Sequence, residues 1–417
     1  MTEPPSERKT GNWHRYWSVY LEGWAVFKDP DACPRHIISY WTRDQIKAMG
    51  FYTNSEECRS RRKVAWHYFI VTLLIVSLAS LCFGVIESIG DIVNLGRDLV
   101  FIITIIFIFG RVVIYIQHAD DFDEIIDTLE DIHHWTIRNA GSREVQHTKR
   151  LRFLFFTVVI VIWFFCLVLF MLIKISTPFW MESQTLPFHV VWPFQLHDPS
   201  KHPISHLIIF VSQVFTLSYF LVWLCGVENM TISVYFELTS CLRTLCIELR
   251  NLKNICHGDE NLLERKLIRL IQFHQEIILL SDRCNNILNG AFIMQMLVNF
   301  FLVSLSLFEV LAARKDPQVA AEYLTIMIMT LGHLSYWSKF GDMFTQESEE
   351  VALAVYDAFD PTVGSKKIHR TFIFFIQRAQ MPLLMSANPF PPFSMPNYMF
   401  ILKQCYSIMT ILANTLE

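Results

Sequence analysis

Three ionisable residues that lie inside long apolar runs are the side chains of this chain best placed to do chemistry: Arg111, Glu309 and Lys403. A charge buried in such a run is rare and costly, so each one is a functional hypothesis. Arg111 lies near the end of its run, and we expect it to snorkel to the interface. Glu309 is expected to be a solvated carboxylate at the opposite interface. Lys403 lies either at an interface or beside a water-filled pore.

The last apolar run carries a polar stripe. Six residues at helical spacing share one face of it, namely Gln404, Ser407, Ile408, Ile411, Asn414 and Thr415. Such a face either forms polar contacts between packed helices or lines a pore in which Ile411 is a hydrophobic constriction. One helix cannot enclose a pore. The second reading therefore requires an oligomer with this helix at its axis.

Motifs for catalysis or metal binding are weak. The sequence contains no Gly-rich phosphate loop, Cys-x-x-Cys pair, His-Glu-x-x-His zinc helix or Gly-x-Ser-x-Gly elbow. The adjacent residues His133 and His134 face different directions on a helix and make a poor metal site. His118 and Asp123 have the spacing of some membrane acyltransferases, which is an enzymatic alternative of low specificity. We expect no catalytic residue, no metal and no cofactor.

Composition predicts a multi-pass membrane protein. The 417 residues are 53% hydrophobic and 18% charged, which is more apolar surface than globular folding hides. The net charge of −4 offers no basic footprint for nucleic acid. Seven runs are apolar enough to span or to be extended to a span: residues 66–86, 99–116, 153–173, 203–227, 291–313, 323–337 and 396–416.

Basic residues between the runs predict the orientation. The loops on the side of the N-terminus hold 28 Lys and Arg, and those on the other side hold 5, so the N-terminus is expected in the cytosol and the C-terminus outside. Amphipathic stretches at 120–138 and 260–288 predict helices that extend the spans into the cytosol and form an inner domain. The expected division is an N-terminal cytosolic segment (1–65), a six-helix ligand-binding bundle (66–337), anchor helices (338–395) and a pore-lining seventh helix (396–417).

The outer halves of the runs are rich in aromatic residues and are the expected ligand pocket. The candidates are Phe101, Thr104, Trp163, Leu167, Phe170, His206, Phe210, Gln213, Tyr323 and Met327. Pockets take few residues, so ordinary packing is the alternative for each of them. The loop at 176–203 is rich in Pro, Phe, Trp and His, and could fold as a lid over the pocket.

The C-terminal third contains a recognisable string of motifs. It comprises Glu347-Ser348, Val351 and Tyr356, then residues 377–383 (QRAQMPL), then Ala387, Phe390, Pro392, Phe393, Ser394 and Phe400, and finally Lys403 and Tyr406-Ser407. This string closely resembles the C-terminal signature of insect odorant receptors. Phe359, Asn388 and Cys405 replace the usual Trp, Gly and Ser. The Thr-Tyr…Gln-Phe ending of gustatory receptors is missing, although a gustatory-type channel stays an alternative.

The resemblance implies a ligand-gated, non-selective cation channel in the plasma membrane of olfactory sensory neurons. Members assemble as heterotetramers of an odorant-specific subunit and a shared co-receptor, with the last helix at the pore and a small volatile in the outer pocket. This chain lacks the long cytosolic insertion of the co-receptor and so resembles the odorant-specific subunit. Its partners would be the co-receptor, the volatile, permeating cations and lipid. A G-protein-coupled receptor needs the opposite orientation.

Overall fold

The structure is a computed structural model that describes residues 12–29, 32–49, 61–90, 92–139, 143–180, 186–256, 259–313, 317–362 and 364–414. Within these ranges the chain is helical and contains no β-sheet. The helices are α1 (Asn12–Lys28), α2 (Ile38–Met49), α3 (Arg61–Glu87), α4 (Ile92–Gln117), α5 (Ala119–Asn139), α6 (Arg143–Trp180), α7 (Pro203–Arg250), α8 (Leu252–Cys256), α9 (Glu260–Ala312), α10 (Pro317–Ala358), α11 (Lys366–Ala379) and α12 (Met395–Asn414).

Seven helices correspond to the seven predicted spans: α3, α4, α6, α7, α9, α10 and α12. Five of them, α3, α4, α6, α7 and α9, are long and apolar enough to cross a membrane by length and composition. A rise of about 1.5 Å per residue makes α7 and α9 far longer than the roughly 30 Å hydrocarbon core. Each must therefore project well beyond one side of the bilayer.

The projecting ends and the shorter helices form one packed unit, which we call the anchor region: α1, α2, α5, α8, α11 and the adjoining ends of α6, α7, α9 and α10. α2 packs against α7, α1 against α2 and α6, and α11 against α10. The predicted amphipathic helix at 120–138 is confirmed as α5, and its Ile125, Leu129 and Ile132 are buried. Apolar residues of the predicted stretch at 260–288 line the core from the start of α9.

Capping and pairing fix the start of α9. Asp259 accepts hydrogen bonds from the backbone N–H groups of Asn261 (3.0 Å) and Leu262 (3.2 Å), which satisfies two donors that a helix N-terminus leaves open. Further along, Arg283 pairs with Asp121 and Glu124 of α5. These contacts fix α9 along the anchor region before it enters the apolar bundle.

Hydrogen bonds hold the signature segment between α11 and α12 (residues 380–394) against α9 and α10. Asn285 of α9 donates to the Leu384 carbonyl at 2.9 Å and accepts from the Ser386 N–H at 3.1 Å. Ser348 of α10 accepts from the Leu383 N–H. A Cβ at position 341 of α10 would lie 2.2 Å from the Phe393 carbonyl oxygen, so only glycine permits this approach. The segment that leads into α12 is thereby tied to the middle of α9 and the second half of α10.

Two predictions about ionisable residues are wrong. Arg111 does not snorkel, because its side chain is completely buried and pairs with Glu228 of α7. Glu309 is 1% exposed and is not a solvated interfacial carboxylate. In both cases neighbouring helices enclose a position that helix depth alone would place at an interface.

Candidate functional site

A cavity of about 180 Å³ lies among α4, α6, α7, α9 and α10. Its walls are almost entirely apolar, with Phe107, Phe220 and Leu302 among the side chains that form them. Small apolar ligands occupy cavities of this order, since an engineered cavity of about 150 Å³ holds benzene. The cavity is therefore suited to a small, largely apolar molecule.

Five of the ten residues predicted to bind ligand line this cavity. They are Phe101 and Thr104 on α4, and Trp163, Leu167 and Phe170 on α6. The structure thus brings the predicted aromatic faces of α4 and α6 together around one space. Their contact with a ligand stays a prediction.

The other five predicted residues do not line this cavity. Met327 and Tyr323 lie on α10, where Ile326, Thr330 and His333 face the cavity instead. Tyr323 is fully buried. The remaining three lie on the first turns of α7: His206, whose ring bonds the His197 carbonyl (2.8 Å), Phe210, which contacts the Phe179 ring, and Gln213.

Gln213 holds a loop over the cavity. Its Oε1 accepts from the Phe188 N–H at 3.1 Å, and its Nε2 donates to the Phe188 carbonyl at 3.3 Å. The Phe188 side chain lines the cavity and meets the Phe101 ring edge-on at 4.7 Å. A second anchor follows at once, since His189 Nδ1 lies 2.9 Å from the buried carboxylate of Asp98. The described part of the loop, from residue 186, thus covers the cavity.

A second cavity of about 130 Å³ adjoins the first, and both are lined by Ile105, Phe188 and Thr216. It lies between α3, α4, α7 and the covering loop. The two cavities therefore share part of their walls.

Two buried donors in the wall of the first cavity have no hydrogen-bond partner among the described residues. They are Asn299 Nδ2 on α9 and Trp163 Nε1 on α6. Asn299 is 2% exposed, and leaving a buried donor unpaired costs about 1–3 kcal/mol. By contrast, the cavity hydroxyls of Thr104 and Thr330 already donate to carbonyls one turn back. The cavity therefore offers unused donors to a ligand.

A buried polar network lies beneath this end of the cavity. His333 of α10 lines the cavity, and its Nε2 lies 3.2 Å from a carboxylate oxygen of Glu228. Arg111 pairs with the other Glu228 oxygen and donates to Gln295 Oε1 at 3.0 Å. Gln295 Nε2 in turn lies 3.1 Å from His333 Nδ1. Four helices, α4, α7, α9 and α10, thus meet at one charged cluster that reaches the cavity through His333.

Aromatic rings connect the cavity with the signature segment. The Trp163 ring stacks on His333 with centroids 5.4 Å apart and planes at 11°. Trp337 packs between the Arg111 guanidinium (5.0 Å), the His333 ring and the Phe393 ring (5.5 Å). Phe393 is fully buried just before α12. A continuous run of packed side chains therefore joins the cavity wall to the start of the last helix.

The last helix turns much of its predicted pore face away from the rest of the chain. α12 packs on α9 and α10 through buried Cys405 and half-buried Ile401. Gln404, Ser407 and Ile411 are exposed, and Ile408 is half-buried at the edge. α12 ends at Asn414, whose side chain is not described, and Thr415 lies outside the described residues. On this face, polar groups and a large apolar side chain have no cover from the described residues.

Sequence reasoning missed the polar end of the cavity. Asn299 and His333 lie in the fifth and sixth apolar runs. Polar residues are uncommon inside a membrane span, so their presence there was the available sign of a functional role. Arg111 and Glu228 carried a second signal, since opposite charges occur at similar depths on two spans. The acyltransferase pair has other partners, because His118 contacts Asp121 while Asp123 contacts Arg43 and Lys47.

Comparison with known proteins decides the family. The family described as 7tm Odorant receptor matches residues 91–406. Odorant receptor 65a of Drosophila melanogaster is 70% identical over all 417 residues and is covered completely. The chain belongs to the odorant receptor family. Putative odorant receptor 65c of the same species is 42% identical over 98% of this chain and 99% of its own length.

The solved structure of the insect olfactory receptor OR5 from Machilis hrabei, in complex with eugenol, has the same fold. The TM-score is 0.71 at 13% identity, over 90% of this chain and 99% of that one. The likeness confirms the all-α, seven-transmembrane fold of this odorant receptor. It is a multi-pass membrane protein and a receptor rather than an enzyme.

Proposed function

We propose that this odorant receptor is the odorant-specific subunit of a ligand-gated, non-selective cation channel. The observation that carries the proposal is the covered apolar cavity whose only unpaired donors among the described residues are Asn299 Nδ2 and Trp163 Nε1. A site with this lining favours a small volatile with an apolar body and one acceptor oxygen, such as an ester, ketone or ether. The 180 Å³ volume fits a single ring or a short chain.

The energy available from such a ligand is modest. A ligand of about ten heavy atoms supplies only about 0.3 to 1.5 kcal/mol per atom. Ligand binding can shift an equilibrium only by its differential affinity for the two states. The closed state must therefore lie only a few kcal/mol below the open state.

Ligand binding is proposed to reach the pore through Trp337. A ligand acceptor near Asn299 and Trp163 would reposition the stacked His333 ring, which contacts Trp337. Trp337 contacts Phe393, and the segment around Phe393 begins α12. These contacts support a mechanical connection, and the two-state behaviour of this connection is part of the proposal.

The pore is proposed to run along α12 of several subunits. Support comes from the exposed Gln404, Ser407 and Ile411, which lie on one face of a helix that its own chain covers on the other side. Ile411 would be the hydrophobic constriction, with Asn414 and Thr415 beside it as polar groups. Closed symmetry around this face would bury Ile411 against its counterparts.

The same proposal covers assembly and location. The partner is the odorant co-receptor, in a heterotetramer held together by the anchor region, and the site of action is the plasma membrane of olfactory sensory neurons. The N-terminal segment (1–65) and anchor helices (338–395) would be cytosolic, the bundle (66–337) would bind the odorant, and the last helix (396–417) would line the pore. The basic residues on the side of the N-terminus support this orientation.

Heterologous co-expression tests the proposal. Cells expressing this receptor with an insect odorant co-receptor would be exposed to a panel of volatile esters, ketones and ethers, with hydrocarbons of the same shape as controls. We expect inward cation current with a subset of the oxygenated compounds and no such current with the co-receptor alone. Surface expression without current to any volatile would contradict the channel proposal.

A further inference from the structure

Three metal-ligating side chains meet in the anchor region, one of them far along the chain from the other two. His36 lies just before α2, and Glu130 and His134 lie on α5. His36 Nδ1 is 2.5 Å from Glu130 Oε1, and His134 Nε2 is 3.0 Å from the same oxygen. All three ligand atoms lie within 4.8 Å of one another. This geometry places two imidazoles and a carboxylate around one point.

Contacts outside the cluster hold its members in place. Glu130 and His134 are four residues apart and so share one face of α5. The second oxygen of Glu130 accepts from the Ile37 N–H at 3.0 Å, and the His36 ring stacks on Tyr40 with centroids 4.4 Å apart. Such outer contacts orient ligands and are a regular feature of metal sites. The carboxylate and one imidazole are therefore positioned without any help from a metal.

The neighbouring His133 has a different task. Its Nε2 lies 3.1 Å from the Pro34 carbonyl and its Nδ1 lies 3.4 Å from Lys149 Nζ. Burial, and secondarily the charge of Lys149, lower the pKa of His133 to about 3. His133 is thus a neutral residue that holds the loop carrying His36. In the sequence, the adjacency of His133 and His134 argued against a metal site that uses both of them. In the structure only His134 belongs to the cluster.

The donor set is suited to zinc. Two His nitrogens and one carboxylate oxygen, with water in a fourth position, form a known type of open zinc site. His36 and His134 side chains are 32% and 36% exposed, so water has access to the cluster. Bonds of about 2.0–2.1 Å would separate tetrahedral ligands by about 3.3 Å. Zinc binding would therefore widen the distance between His36 Nδ1 and Glu130 Oε1 from 2.5 Å to about 3.3 Å.

We propose that His36, Glu130 and His134 form a Zn²⁺ site that ties the N-terminal segment to α5. Neither the family assignment nor the odorant cavity bears on this site. Because α2 packs on both α5 and α7, an ion that ties the start of α2 to α5 would stabilise the anchor region. A hard cation such as Mg²⁺ prefers oxygen ligands only and would not replace Zn²⁺ at this site.

Purified full-length receptor in detergent, stripped with a chelator, tests the site. We expect Zn²⁺ to raise the unfolding temperature in a saturable way with one ion per chain, and Mg²⁺ to have no effect. His36→Gln and His134→Gln should each weaken Zn²⁺ binding at least about tenfold. The matched control is His147→Gln, since His147 is an exposed histidine on α6 outside the cluster, and it should bind Zn²⁺ like the wild type.

Cobalt spectroscopy gives a second measurement that does not depend on stability. Bound Co²⁺ should show ligand-field bands of nitrogen and oxygen ligands, and these bands should weaken in His134→Gln. That variant removes a half-exposed side chain whose ion-pair contact is with Glu130 alone among the described residues, and we expect it to fold. Equal Zn²⁺ affinity in wild type and both variants, or a strong thiolate charge-transfer band, would overturn the proposal.

Discussion

Asn299→Leu is the most informative single substitution in the cavity. It removes the buried donor Nδ2 and nearly preserves side-chain volume. In the unliganded receptor this donor has no partner among the described residues, at a cost of about 1–3 kcal/mol. Among the described residues, the one other polar side-chain contact that Asn299→Leu removes is a long one, 3.4 Å, between Asn299 Oδ1 and His333 Nδ1. We therefore expect the variant to be as stable as the wild type or more stable.

Ligand response should change in the opposite direction. An oxygenated ligand loses its hydrogen bond to Nδ2, worth about 1–2 kcal/mol, which is a rise in EC50 of about 5- to 30-fold. A hydrocarbon analogue with CH₂ in place of the oxygen loses nothing, because the donor is unpaired both in the unliganded receptor and in the hydrocarbon complex. The ratio of the two EC50 values should therefore collapse in Asn299→Leu.

The assay is concentration–response recording of current for each ligand pair in cells that also express the co-receptor. Thr330→Val is the matched control, because Thr330 lines the same cavity and its hydroxyl already donates to the Ile326 carbonyl at 2.9 Å. It should leave the EC50 ratio unchanged. If Asn299→Leu shifted both members of a pair equally, it would act through packing, and the hydrogen-bond reasoning would be wrong.

Three further substitutions test other parts of the site. Glu228→Gln leaves the Arg111 charge buried without its partner, so surface biotinylation should show a loss of folded receptor that corresponds to about 3–5 kcal/mol. Removing both charges together should restore part of the surface expression. Equal surface expression of all three forms would count against a structural ion pair. Gln213→Leu removes both hydrogen bonds to the Phe188 backbone, so evoked current should decay faster on ligand washout. An unchanged decay rate would show that these hydrogen bonds do not retain the ligand. Ile411→Ala should raise basal current if Ile411 is the constriction, whereas unchanged basal and evoked currents would remove it from that role.

Apolar periodicity accounts for much of what could be predicted from the sequence. The spacing of Ile125, Leu129 and Ile132 identified α5 because a helix buries one face. The faces of α4 and α6 that line the cavity were predicted for the same reason, through Phe101 and Trp163. These predictions needed only the period of a helix and the direction of each span.

Contacts between distant segments account for what could not be predicted. The partner of Arg111 is Glu228, 117 residues away, and no local pattern specifies that pairing. The hydrogen bonds of Gln213 to the Phe188 backbone had no signal in the sequence either, because the course of the covering loop is not periodic. Contact of Gln213 with a ligand stays a prediction, and its side chain lines the second cavity. The His36 and Glu130 cluster joins residues 94 positions apart, and only the packing of α2 beside α5 creates it.

Recording from excised patches is the most direct test of whether this chain carries a ligand-gated cation path. Outside-out patches from cells expressing this receptor with the co-receptor, free of nucleotides and soluble second messengers, would be exposed to brief pulses of the oxygenated volatiles that activate whole cells. We expect rapid, repeatable cation current whose ion selectivity changes when Gln404 or Ser407 of α12 is substituted. Current that disappears on excision, or ion selectivity that neither substitution changes, would contradict a cation path through this chain.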